Sequence, residues 1–201
     1  AGKTTSAIAA MRYLGAELIT NDLLLLKGRT DTGEGAGPPV AMGLPLQVRI
    51  ATGTIRSMGL LPHLDPYDEV FPFLEPPDWR ERERKIEVSA RRVASWFGGV
   101  PCPSAPVSCF VWPQISGGDR VSIREVPPVD TADWLRAEVT YFDPAWPTWT
   151  GIGYHAPSPL PAAGERLIDE CGKCQAVELH GSRQVGAAIR ELGSHLRLGG
   201  E

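Results

Sequence analysis

Along this chain the apolar residues switch repeatedly between helical spacing and the short continuous runs of buried strands, which admits little besides a mixed α/β fold. Ala7, Ile8, Met11 and Leu14 recur at helical spacing and Gly15 is a natural stop, so a helix is predicted from Thr4 to about Gly15. A-E-L-I-T-N-D then reads as a strand ending in the polar tip Thr20-Asn21-Asp22, and L-L-L-L-K as a strand leaving it. G-R-T-D-T-G-E-G-A-G-P-P has too much Gly and Pro for the core and is an exposed turn. V-A-M-G-L-P-L-Q-V-R-I returns as extended chain, and T-G-T-I-R-S-M-G-L-L suggests a short helix capped by Thr52 or Thr54. Residues 65–84 are proline-punctuated and read as a loop insertion. V-S-A-R-R-V-A-S-W-F-G-G is a helix capped by Ser89 and ended by Gly98. P-V-S-C-F-V-W-P and V-S-I-R-E-V are strands, D-T-A-D-W-L-R-A-E-V a helix, A-V-E-L a strand and S-R-Q-V-G-A-A-I-R-E-L the last helix. No internal repeat is visible, and residues 1–201 read as a single domain, a mixed β-sheet flanked by helices, with 114–201 as its C-terminal part.

Composition narrows the partners. With 201 residues, 42% of them hydrophobic and 22% charged, the chain can bury a sizeable core. A net charge of -4 supplies no global basic field, and the dense basic run W-R-E-R-E-R-K is interleaved with acids, so nucleic acid is not an expected partner. No apolar run approaches the roughly 20 residues of a membrane span, and the first residues lack a basic-then-apolar leader pattern. A cytoplasmic location is the expectation.

Chemistry concentrates at the first residues. Gly2-Lys3-Thr4-Thr5 running into a helix has two readings: the back half of a phosphate-binding loop, with its first glycine and preceding strand upstream of Ala1, or a polar helix start. In the first, the backbone of Gly2, Lys3, Thr4 and Thr5 wraps phosphate, Lys3 reaches the β- and γ-phosphates of ATP, and Thr4 holds magnesium. Asp22, at a strand end beside that loop, then binds the metal or orients the group that accepts phosphate. The bland alternative for Asn21-Asp22 is a turn.

The stretch A-G-K-T-T-S-A-I-A-A-M-R-Y-L-G-A-E-L-I-T-N-D-L-L-L-L resembles the nucleotide-binding core of the HPr serine kinase/phosphorylase family. G-L-P-L-Q-V-R-I-A-T-G-T-I, and K-I-E-V-S-A-R-R-V-A-S-W-F-G leading into A-P-V-S-C-F-V-W-P, are similar to a divergent branch of it. The likeness is continuous to about Pro113 and loose beyond, where V-E-L-H-G-S-R-Q-V-G-A-A-I-R-E-L resembles the closing strand and helix. It implies a P-loop core, ATP and Mg2+ as cofactors, and phosphoryl transfer from ATP to a hydroxyl of a peptide or small molecule. Asp22 matches the second member of the family's acidic pair, but Asn21 stands where the first would be, and an amide takes no proton at neutral pH. A nucleotide-dependent regulatory module without phosphoryl transfer is therefore the rival reading. HPr itself is not an expected substrate, since its recognition segment has no counterpart. On the phosphate-loop reading, the 201-residue chain is expected to bind ATP weakly, because half the converging N–H groups are upstream, and to leave a sheet edge open to association, both relieved by the upstream strand and loop.

Other candidates have plainer explanations. Arg49 and Arg56, around Thr52-Gly53-Thr54, and Lys85 could contact phosphate, but solvated charges are the commoner case at such positions. The histidines at 63, 155, 180 and 195 are scattered, with no acid or cysteine at a persuasive triad or ligand spacing. Cys171-Gly-Lys-Cys174 is a lone C-x-x-C; Cys102 and Cys109 fit no common zinc knuckle, and a redox pair would open a helix, so incidental thiols are expected. The tryptophans of A-D-W and A-W-P-T-W are read as packing residues before a substrate platform.

Overall fold

The computed structural model describes residues 2–21, 24–28, 37–44, 46–64, 85–115, 120–138, 162–181 and 184–196. Helix α1 spans Lys3–Leu14 and ends where Gly15 adopts a left-handed conformation, φ 66°, its N–H closing on the Ala10 carbonyl. Ile8, Ala9 and Met11 form its buried stripe. After it come β1 (Leu24–Lys27), β2 (Val40–Gly43), β3 (Gln47–Ala51), α2 (Thr52–Ser57) and a short 3-10 turn at Leu61–His63. The chain continues through β4 (Lys85–Ser89), α3 (Ala90–Ser95), β5 (Ser104–Pro106), β6 (Cys109–Ile115) and β7 (Ser122–Glu125). It closes with α4 (Pro128–Glu138), α5 (Ala162–Gly172), β8 (Gln175–Gly181) and α6 (Val185–His195).

The expected mixed α/β class holds, but the described strands are divided among three small sheets where one was expected. β1, β2 and β5 form an antiparallel sheet in that order, and β3 pairs antiparallel with β4. The third sheet, β6-β8-β7, is mixed: β6 and β8 run parallel, with Cys109 opposite Gln175, and β7 runs antiparallel to β8. Strand alternation sends the two faces of that sheet to different helices. Val177 and Leu179 join the main core with Ile8, Met11, Ala188, Ile189 and Leu192 of α1 and α6, and Val48, Ile50, Ile86 and Val88 extend that core. Phe110 and Trp112 face the other way, onto Ala132, Leu135, Ile168 and Cys171 of α4 and α5. No helix among the described residues is long and apolar enough to cross a membrane.

Several sequence expectations need correction. Residues 16–20 are not a strand: Cys102 N donates to Leu18 O at 2.8 Å, and Thr20 Oγ1 to Leu44 O at 3.3 Å, isolated bonds that build no ladder. The extended run 40–50 is two strands, Val40–Gly43 and Gln47–Ala51, in two sheets. Neither threonine caps α2; its N-cap is Ala51. Helix α5 was not anticipated, although Leu167, Ile168 and Cys171 carry a helical spacing. The turn at 29–36, the insertion at 65–84 and Asp22 lie outside the described residues.

The cap of α3 is as expected: Ser89 Oγ accepts from Arg92 N at 3.2 Å, satisfying one of the first-turn donors. Ser89→Ala is expected to cost about 1 kcal/mol, read as a lower urea midpoint at unchanged slope; an unchanged midpoint would show that this bond adds nothing.

Candidate functional site

The first turn of α1 supplies the site's main elements. Gly2 takes φ 105°, a conformation costly for any side chain, and as the N-cap it brings no side chain to bond the first-turn N–H groups. Those donors and the positive end of the helix dipole are thereby left without a side-chain cap. Ser6 N donates to Gly2 O at 2.8 Å and starts the helix. The next neighbour is the first turn of α2, where Thr54 Oγ1 lies 2.8 Å from Thr5 Oγ1. Two more hydroxyls on these turns, Ser6 Oγ and Thr52 Oγ1, are enclosed without a hydrogen-bond partner among the described residues. The first turns of α1 and α2 thus meet through a pair of hydroxyl groups, beside the apolar core that Ile8 and Ile55 share.

The register shows which end of the mixed sheet this turn occupies. After β7, Val126 N donates to Ala176 O, so α4 begins level with the start of β8. Trp134 then meets Trp112 edge-on, ring centroids 4.9 Å apart, and Trp112 is the register partner of Glu178. Helix α4 thus climbs in the same direction as β6 and β8. Glu138 lies one turn beyond Trp134, ~6 Å of rise, which corresponds to about two strand residues and to the level of Gln114 and His180. Lys3 Nζ stands 3.6 Å from Glu138 Oε2, with side chains 78% and 69% exposed. The N-terminus of α1 is accordingly at the carboxyl edge of the parallel pair β6/β8, the edge at which open α/β sheets bind ligands.

At that edge, on the face of α4 and α5, the sheet carries a polar group of its own. Arg124 Nε donates to Glu178 Oε2 at 2.9 Å, and Arg124 Nη2 donates to the same oxygen. His180 Nε2 lies 3.3 Å from it. Glu178 is enclosed, its side chain 12% exposed, while that of His180 is 48% exposed. The hydrogen bond from Arg124, opposed by burial and aided by His180, holds the Glu178 carboxyl below its ordinary range. Sequence reasoning passed over His180, yet the signal was there: E-L-H on a strand puts both polar residues on one face.

The remaining candidates separate. Asn21 is half-buried just before residues outside the description, so the structure does not join Asp22 to Thr4. Arg49 Nε faces its cross-strand partner Glu87 Oε1 at 3.6 Å. Lys85 opens β4 on the exposed side, opposite Ala51. Arg56 lies in α2, and α2 and α1 are joined through Thr54 and Thr5. His63 stacks on Trp96 at 5.6 Å, and Trp112 and Trp134 pack together. His155, Trp146 and Trp149 lie outside the described residues.

Cys171 and Cys174 close α5, Cys174 N donating to Cys171 O at 3.0 Å, so the C-x-x-C sits at a helix end and not at a helix start. Burial, then Cys174, pushes the Cys109 thiol up to about 11, and burial, then Cys174 and Glu170, pushes Cys171 up to about 12. Neutral thiols are poor nucleophiles at pH 7. Among the described residues no group of three or more His, Cys, Asp or Glu is arranged to hold a metal ion.

Compared with known protein families, curated proteins and solved structures, the chain matches none.

Proposed function

We propose that the protein binds ATP with Mg2+ through the first turn of α1 and transfers the γ-phosphoryl group to a hydroxyl of a peptide or small molecule, in the manner of the HPr serine kinase/phosphorylase family and its P-loop core. The observation that carries this reading is the placing of Gly2-Lys3-Thr4-Thr5, a left-handed glycine and three residues of a helix start, at the carboxyl edge of β6 and β8. Backbone N–H groups from Gly2 to Thr5 cradle phosphate, and Lys3 neutralises the β- and γ-oxygens. Its contact with Glu138 does not compete strongly: an ion pair this exposed contributes little, and a polyphosphate offers several charges. The Thr4 hydroxyl and the Asp22 carboxylate would be the oxygen donors for magnesium, which would supply positive charge against the phosphoryl oxygens. The cytoplasm suits such a reaction, and neither nucleic acid nor membrane enters it.

The rival is a nucleotide-dependent regulatory module without transfer, and Asn21 is the observation that favours it. Both readings require the phosphate site. In the full-length protein, Lys3→Ala is expected to weaken MgATP at least about tenfold, roughly 1.4 kcal/mol, while leaving adenosine affinity unchanged, because only the phosphates meet the charge. Calorimetry with the two ligands checks this; equal losses, or none, would remove Lys3 from the site.

A further inference from the structure

A kinase built on this chain needs a proton acceptor other than residue 21, and the carboxyl edge of β6 and β8 supplies an imidazole. An ionised carboxylate only accepts hydrogen bonds. The contact between His180 Nε2 and Glu178 Oε2 is therefore made by an Nε2–H donor, which leaves the lone pair of neutral imidazole on Nδ1. Glu178 is itself fixed by Arg124 from the neighbouring strand, so the ring is oriented by a carboxylate that is oriented in turn. Gln114, the register partner of His180 on β6, and Ser122, its partner on β7, add uncharged polar groups on the same face. The level shared by His180 and Glu138, and the reach of Lys3 to Glu138, put the imidazole and the first turn of α1 toward the same edge of the sheet, the imidazole on the face of α4 and α5 and α1 packed on the other.

We propose that His180, positioned by Glu178, is the general base for the phosphoryl acceptor, so that the face between β6, β7 and β8 is the acceptor side of the site. The inference rests on the nucleotide reading above. In the step, the acceptor oxygen forms its bond to the γ-phosphorus as the bond from that phosphorus to the β,γ-bridging oxygen breaks. The electron pair of the broken bond stays on ADP, the hydroxyl proton passes to His180 Nδ1, and solvent later removes it. The charged groups on the elements around His180 are Glu178 on its own strand, Arg124 on β7, and Glu138 on α4, which Lys3 engages. From α5, Glu165 and Asp169 are both held by Arg136.

The test uses full-length protein, MgATP and water as the acceptor hydroxyl, followed by ADP release across pH 5–9, with calorimetry for binding. His180→Gln is expected to bind MgATP within twofold of the parent and to lose about 100-fold in turnover, together with the fall in rate at acid pH that comes from protonating the imidazole. Glu178→Gln keeps the hydrogen bond and removes the charge; it is expected to lose about tenfold in kcat at unchanged KM for MgATP, with the acid limb moved to lower pH because imidazolium loses its carboxylate. A magnesium complex of a non-hydrolysable ATP analogue is expected to raise the titration midpoint of His180 followed by NMR, since added phosphate charge favours imidazolium. Parent-like turnover and acid limb in His180→Gln would overturn the proposal and leave the nucleotide site standing. So would an unmoved His180 midpoint in a protein that binds MgATP, whether or not water serves as acceptor. Failure of the parent protein to bind MgATP would remove the nucleotide reading and the proposal with it.

Discussion

Leu179→Ala is expected to destabilise the chain by about 3–4 kcal/mol, among the largest effects of any single truncation. Leu179 is completely enclosed in β8, the central strand of the mixed sheet, opposite Pro113 on β6 and Ile123 on β7. It belongs to the core that α1 and α6 share, with Ile8, Ala188 and Ile189. Loss of the isobutyl end removes apolar contact and leaves a void that a strand held on both sides cannot close. Hydrogen bonds to two neighbours stop β8 from shifting toward the gap, which places the cost in the upper part of the range for such changes. Urea denaturation should show a lower midpoint at unchanged slope, since a change in midpoint alone reports stability. Val129→Ala is the matched control: Val129 is 66% exposed, and its truncation should stay within about 0.5 kcal/mol. A loss below about 1 kcal/mol for Leu179→Ala, within the range of ordinary substitutions, would mean that β8 does not run through the centre of the core.

Gly43→Ala is expected to cost about 2–3 kcal/mol, at the upper end for forcing a methyl into a packed site. A Cβ at this position would lie 2.2 Å from Ile19 O and 2.9 Å from Ile19 C, both backbone atoms. Relief requires the whole segment after α1 to move, and that segment is tied on either side by the Cys102 N to Leu18 O and Thr20 Oγ1 to Leu44 O bonds. Gly53 gives the opposite result in the same assay. Nothing lies within 4 Å of a Cβ there and the residue sits inside α2, so Gly53→Ala should be stabilising by about 0.5–1 kcal/mol through helix propensity. If Gly43→Ala proves as stable as the parent, the segment from Ala16 to Asn21 does not press against β2.

Where local chemistry decides a boundary, the sequence was legible. The alanine-rich repeat of α1, its glycine stop and the Ser89 cap are short-range effects that a few residues contain in full. The strands β6, β7 and β8 were legible as well, from apolar runs bounded by breakers. Ala16 to Thr20 misled because Leu18 and Ile19 have strand-like apolarity. A strand also needs a neighbour's ladder, and here the neighbours supply single bonds. Val40 to Ile50 misled for the reverse reason: both halves find ladders, but in different sheets. For the candidate site, Gly2 to Thr5 could be named from residue types alone, whereas the Glu178 and His180 pair required Arg124 from another strand to give it meaning.

The amino-acid sequence by itself determined the α/β class and the presence of most of the described helices, since periodicity and caps act over a single turn or strand. Only the tertiary structure decided how the strands divide into sheets and which helices cover each face. Only it brought Lys3 to Glu138 and set a histidine, a glutamate and an arginine together at the same edge. Those outcomes depend on pairings between residues tens of positions apart. No local spacing encodes them, because the free energy that selects one pairing over another comes from burying both partners at once.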